Sequence, residues 1–250
     1  MEIMKCSIKR KNNLLRKTAF RSALLLVSAF ALFNPLTVEG ANNKEEQKRE
    51  EEKLDSLFTA RYVFENIHTS ALEILPISTR LDLLDYWDVD SVYKASNVME
   101  GLSWLEEVTP SYLKVRITPV SDLEIKILPE KKSKIVMTVY TVGDDVQAQD
   151  SQIKFYDEHF VELPTNKHLI MPELKDFFDI PKGSTTKMKE IEEMIPFPTI
   201  AFTANKDNDN LEARLTVEQY INQDDWNIAK LFLKPSVILE WKKDKYRVEK

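Results

Sequence analysis

Cysteine is almost missing from this chain: of 250 residues only Cys6 carries a thiol, and there are just 4 glycines and 3 histidines. Each shortage removes a kind of chemistry. A lone thiol near the amino terminus builds no disulfide framework and no thiolate zinc site, and leaves residues 41–250 without a cysteine nucleophile. Beyond residue 40 the glycines are Gly101, Gly143 and Gly183. They are too far apart for the G-x-G-x-x-G or G-x-x-x-x-G-K loops that bring backbone N–H groups to a phosphate. His68, His159 and His168 give no H-x-x-x-H or H-x-H pair for zinc, and no serine sits in a G-x-S-x-G elbow. No cofactor or metal is expected.

What remains is a folding composition, 43% apolar and 30% charged, enough for one or two modest domains. Residues 1–21 hold Lys5, Lys9, Arg10, Lys11, Arg16, Lys17 and Arg21 against Glu2, and Ser22–Phe33 is uncharged and mostly apolar. This is a basic n-region followed by an h-region, shorter than the roughly 20 apolar residues of a spanning helix and ended by Asn34-Pro35. Val38 and Gly40 place small residues at −3 and −1, so a cleavable signal peptide is expected over 1–40, with a periplasmic or outer-membrane-associated location. An uncleaved segment would be the only membrane contact. Cys6 precedes the h-region and cannot be a lipoprotein's acylated cysteine. Without residues 1–40 the chain has 28 basic and 39 acidic residues, a net charge of −11. That sign opposes nucleic acid as a partner.

Residues 41–53 are a charged tether, with no apolar member in 44–53. Leu54, Leu57, Phe58 and Tyr62 then recur as one face of a helix ending near Phe64. A second helix is expected after Pro76, capped by Ser78 or Thr79, with Leu81, Leu84 and Trp87 at helical spacing and Asp82 and Asp85 facing away. From Tyr112 the period changes to two. Leu113, Val115, Ile117 and Leu123, Ile125, Ile127 alternate with polar residues as a hairpin with one wet face, followed by Ile135–Val142 and Gln152–Tyr156. After a loop over Pro164–Pro172 come short helices at Glu173–Phe178 and Thr185–Met194. Strands follow at Thr199–Ala204, Leu211–Val217, Val237–Lys242 and Tyr246–Val248, interrupted by a helix at Asp224–Leu231. The class is α+β, antiparallel sheets with helices on one face. The order allows two tandem helix-helix-four-strand units, over 54–160 and 161–250.

The segments Ala60-Arg61-Tyr62-Val63-Phe64, Arg80-Leu81-Asp82-Leu83-Leu84-Asp85-Tyr86, Tyr112-Leu113, Thr118-Pro119, Ile127-Leu128-Pro129 and Phe155-Tyr156-Asp157 resemble an uncharacterised, domain-of-unknown-function family of exported Bacteroidales proteins. The resemblance is clearest over 57–160 and implies a compartment rather than a mechanism. The chain departs from that pattern at Ile67-His68-Thr69 and at Gly101. The element order is also similar to the tandem beta-lactamase-inhibitor-protein type of fold, which implies protein binding on a concave sheet. Fold alone does not fix function.

Arg80, Asp82, Asp85, Trp87, Tyr156 and Asp157 are the candidate binding residues. Asp82 and Asp85, at i and i+3, form with Asp88 and Asp90 the densest acidic cluster, and Asp145 with Asp157 is a second carboxylate pair. Against that reading, such acids also form a solvated helix face, Asp207-Asn208-Asp209-Asn210 has the composition of a tight turn, Asp157-Glu158-His159 suits a surface turn, and the tryptophans and tyrosines suit a core. No catalytic residue is expected. The functional expectation is an exported, non-enzymatic protein that binds another envelope protein, with a carbohydrate-active or other carboxylate-dependent enzyme, or a metal-binding envelope protein, as the alternatives.

Overall fold

The computed structural model describes residues 57–89, 93–130, 133–144, 146–181 and 185–249. The signal peptide and tether expected over 1–53, as well as Asp90 and Asp145, lie outside the described residues. The described residues fall in one compact unit. It is α+β, with a seven-stranded and a four-stranded antiparallel sheet.

The large sheet is a meander of β1 (Ala95–Ser96), β2 (Leu102–Val108), β3 (Tyr112–Thr118), β4 (Ser121–Pro129), β5 (Lys134–Val142), β6 (Asp150–Tyr156) and β7 (Glu162–Leu163), each strand beside its sequence neighbour. Three of these, β1, β2 and β7, were not expected from the sequence, and the point between 160 and 161 falls just ahead of β7. Leu102-Ser103-Trp104-Leu105-Glu106-Glu107-Val108 has no clean alternation because a register shift between Leu105 and Glu107 interrupts its pairing with β3. The small sheet runs in the order β11 (Tyr246–Val248), β10 (Val237–Trp241), β9 (Leu211–Leu215), β8 (Ile200–Ala204). The two strand groups therefore hold seven and four strands rather than four and four.

Helices α1 (Ala60–Asn66) and α2 (Ile77–Trp87) cover one face of the large sheet. Ala60, Val63, Phe64 and Ile67 from the α1 region join Leu83 and Leu84 of α2 over Leu113, Val115, Ile117, Leu123, Ile125 and Val136. The buried stripe of α1 differs from the expected Leu57, Phe58, Tyr62 face. Thr59 caps the helix there, accepting from the Tyr62 amide, so Leu57 lies outside α1 and is exposed. In α2 no side chain caps the first turn; Thr79 is instead buried within the helix and donates to the Ser96 carbonyl.

The small sheet covers the opposite face. Phe202, Leu211, Ala213, Leu215 and Leu239 pack with Met137, Val139, Ile153 and Phe155. Helices α4 (Thr185–Met194) and α5 (Gln223–Ala229) add Ile191, Trp226 and Ala229 to that core, and the short α3 (Thr165–His168) follows β7. The expectation of a wet face on the β3–β4 hairpin is overturned here. Glu124 and Lys126 are each only 2% exposed, because β8 lies across β4, β5 and β6.

Candidate functional site

The alternation of β3 and β4 places Tyr112, Lys114 and Arg116 beside Lys126, Glu124 and Asp122 on the face turned to the small sheet. Directly opposed residues of this kind interact across strands. Lys114 Nζ is 3.5 Å from Glu124 Oε1 and 3.8 Å from Glu106 Oε2. Arg116 reaches Asp122 at 3.2 Å and Glu106 at 3.1 Å.

Strand β8 is an edge strand whose outward amides meet acceptors from the large sheet. The Ile200 amide donates to Asp150 Oδ1 (3.3 Å), Phe202 to Ser151 Oγ (2.9 Å) and Ala204 to Glu124 Oε2 (2.6 Å). Free strand amides need such partners when buried. Burial pushes the Glu124 carboxyl up to about 7, against the opposing pull of the Ala204 amide, Lys114 and the Tyr112 hydroxyl. Burial likewise lowers the Lys126 ammonium, which Asp209 at 3.8 Å and the Lys206 carbonyl at 3.4 Å only partly satisfy.

Beside this seam opens a cleft of about 570 Å³ between the two sheets. Tyr112, Lys114 and Ala204, all partners of Glu124, line it, together with Glu106, Glu107, Lys206 and Glu212. Lys206 bridges to Glu107 at 3.7 Å. The lining presents fixed, largely paired charges. Among the described residues no cluster of three or more His, Asp or Glu side chains is placed to hold a metal ion.

The other end of β2 carries a different surface. The β1–β2 turn exposes Val98 (60%) and Met99 (63%), and Ile77 at the start of α2, Trp87 and Val89 at and beyond its end, and Leu102 at the start of β2 are exposed as well. Asn97 holds that turn rigidly. Its Nδ2 donates to Ser103 Oγ (3.0 Å) and the Ile117 carbonyl (2.9 Å), while its Oδ1 accepts from the Met99 and Gly101 amides at 2.9 and 3.1 Å. Glu100 takes a positive φ of 60°, and a Cβ at Gly101 would meet the Asn97 side chain at 3.3 Å. A constrained backbone therefore points two large apolar side chains at solvent.

The six residues singled out from sequence are dispersed. Arg80 is fully buried and donates through Nη1 to the Phe64 and Ile67 carbonyls at 2.7 and 3.0 Å, closing the end of α1. Its Nε and Nη2 have no hydrogen-bond partner among the described residues, and burial lowers its pKa. Asp82 and Asp85 lie on the outer side of α2, and Asp88 instead pairs with Arg61, one of its two bonds measuring 2.8 Å. Trp87 is exposed on the same helix. Tyr156 is in the helix-side core, its hydroxyl pushed up to about 12 by burial. Asp157 Oδ1 accepts from the His159 and Val161 amides and so builds the turn after β6. The Asp207–Asn210 segment is also a turn, folded on Asn205 Oδ1, which accepts from the Asp207 and Asn208 amides. Sequence reasoning missed Glu124, Lys126 and Asn97; the signal for the first two was a pair of charges alternating inside an otherwise apolar strand.

No curated protein matches the chain. Among solved structures, a domain of an uncharacterized protein from Porphyromonas gingivalis W83 shares the fold, with a TM-score of 0.64 and 21% identity, covering 76% of this chain and 96% of that one. A model of a family of proteins of unknown function matches residues 57–246, from just before α1 to the start of β11. The large sheet, strands β8–β10, the buried charge ladder and the apolar hairpin turn all lie within that match, and the chain belongs to the family of proteins of unknown function designated DUF3256.

Proposed function

We infer that this protein is an exported binding protein of the periplasm or outer membrane, and that it holds another envelope protein through the apolar surface at the β1–β2 turn. The observation carrying this reading is the preorganised turn: Asn97 commits four hydrogen bonds to keeping Val98 and Met99 exposed. Exposed apolar side chains grouped on a rigid element favour association, because little conformational freedom is lost on binding. The basic, apolar amino-terminal segment and the net acidity of the remainder support export and argue against nucleic acid.

Carboxylate-dependent catalysis has one observation on its side, the Glu124 carboxyl near neutrality beside a cleft. Both of its oxygens are engaged by Ala204 and Lys114, and it is 2% exposed, so it serves the seam between sheets.

The test is crosslinking capture in native cells with the wild-type chain and a Val98→Asp/Met99→Asp variant. One partner recovered by the wild type and lost from an equally stable variant supports the reading. Identical recoveries from both would remove it.

A further inference from the structure

Glu124 does more than fill space between the sheets. It is the innermost of three acceptors, after Asp150 and Ser151, that meet the free edge of β8. The groups around it come from every neighbouring element. Strand β3 supplies Lys114 and the Tyr112 hydroxyl, β4 itself Asp122, and β8 the Ala204 amide. Strand β5 places apolar Val139 directly opposite, and β2 contributes Glu106 through their shared contact with Lys114. Beyond β8, Lys206 and Asp207 stand at the cleft with Glu212 of β9. One cation, two neutral donors and a neighbouring carboxylate, Asp122, therefore surround a carboxyl that is almost wholly removed from water.

We propose that Glu124 is a proton-operated clasp: neutral, it keeps β8 seated on the large sheet and the cleft floor closed, and ionised, it favours release of the β8 edge so that the cleft opens. The neutral acid still accepts from the Ala204 amide through its carbonyl oxygen and carries no buried charge. The carboxylate gains from Lys114, but it regains more by returning to water, since desolvation is the largest influence on it. Because Ala204, Tyr112 and Lys114 all line the cleft, any parting at Glu124 reshapes that floor.

The direction follows from linkage. The carboxyl sits at about 7 with β8 seated, above its ordinary value of 4.5. The seated form is therefore favoured most at acidic pH, and that advantage is lost as pH rises towards 7 and is gone above it.

Hydrogen exchange of the β8 amides in the full chain, corrected for intrinsic exchange rates, reads this out. Protection of the Ala204 amide should fall about tenfold per pH unit between roughly 5 and 7, then level off, as expected for one proton lost on opening. Glu124→Gln, which keeps an oxygen acceptor and cannot ionise, should show no such fall. Equal slopes in the two proteins, or a flat profile in the wild type, would overturn the clasp. Should Glu124→Gln not fold, carbon-13 titration of the Glu124 carboxyl in the wild type decides the matter. A midpoint near neutrality that moves together with the Ala204 amide signal supports the clasp, and a midpoint in the ordinary carboxylate range overturns it.

Discussion

On the helix side of the large sheet, Leu113, Val115, Leu123 and Ile125 meet Val63, Phe64, Leu83 and Leu84, and the buried charge there, Arg80, is turned onto the carbonyls at the end of α1. On the other side, the same two strands present Tyr112, Lys114, Arg116, Asp122, Glu124 and Lys126 to a second sheet. One face is sealed by apolar packing, which is non-directional and indifferent to pH. The other combines an apolar core with a strip of charges, each of which needs a partner at a definite distance. The first kind of seal fixes the fold; the second has a setting that protons can change.

The largest expected effect tests the apolar side. Phe64→Ala should destabilise the protein by about 3–5 kcal/mol in urea unfolding, since it empties a fully buried site between α1 and the sheet. Its cost should be the same at pH 5 and pH 8. A cost that changes with pH would mean that titrating groups contribute on the helix side as well, and the contrast between the faces would fail.

Lys114→Met tests the charged side. It leaves Glu124 without its cation, and an unsatisfied buried group costs about 1–3 kcal/mol. This cost should be greater at pH 8 than at pH 5, because the neutral acid does not need the ammonium. Removing the cation should also push the Glu124 carboxyl higher still, which a carbon-13 titration would register. An equal cost at both pH values would show that Lys114 acts through packing alone.

The helix side was the more legible in the sequence. Leu113, Val115, Ile117 and Leu123, Ile125, Ile127 mark one buried face by alternation, and all six lie in the core under α1 and α2. The charged face could not be read in the same way. Alternation separates the two faces of a strand without saying what covers the polar one, and the cover, β8, lies about 80 residues away from Glu124. The phase of α2 was misread for a related reason. The spacing of Leu81, Leu84 and Trp87 predicts the buried stripe, yet the end of α1 offers Arg80 two carbonyls, so Arg80 turns inward with Leu83 and Leu84 and Trp87 turns out. Trp87, Asp82 and Asp85 are chemically prominent in the sequence, but prominence does not say which way a helix turns them. Asn97, which holds the exposed turn, has nothing in its local sequence to mark it beyond Gly101 four residues later.

Asn97→Ala sharpens the comparison at the sheet's end. It removes the acceptor of the Met99 and Gly101 amides and the donor to the Ile117 carbonyl. With part of that turn open to water, the expected loss is about 1–2 kcal/mol. The more telling readout is local: amide exchange at Val98–Gly101 should rise while that of β4 stays unchanged. Capture of the proposed partner should weaken as the turn loses its order, even though Val98 and Met99 themselves remain.

The smallest effect is expected where charges pair in water. Arg61 and Asp88 form a two-pronged contact between α1 and the end of α2, and Asp88 raises the pKa of Arg61 through that hydrogen bond. Its geometry is better than that of Lys114 with Glu124, yet the side chains are 32% and 51% exposed. Water already solvates both ions, so bringing them together gains little, and added salt weakens the attraction further. Asp88→Asn should therefore cost no more than about 1 kcal/mol, less in 0.5 M salt than in dilute buffer. Burial rather than bond geometry would then be what separates the two pairs: the longer contact at Glu124 matters because its carboxylate has no water to return to until β8 moves. If Asp88→Asn proved as costly as Lys114→Met, geometry would outrank burial, and the contrast drawn between the two sides of the sheet would have to be rebuilt around hydrogen-bond alignment.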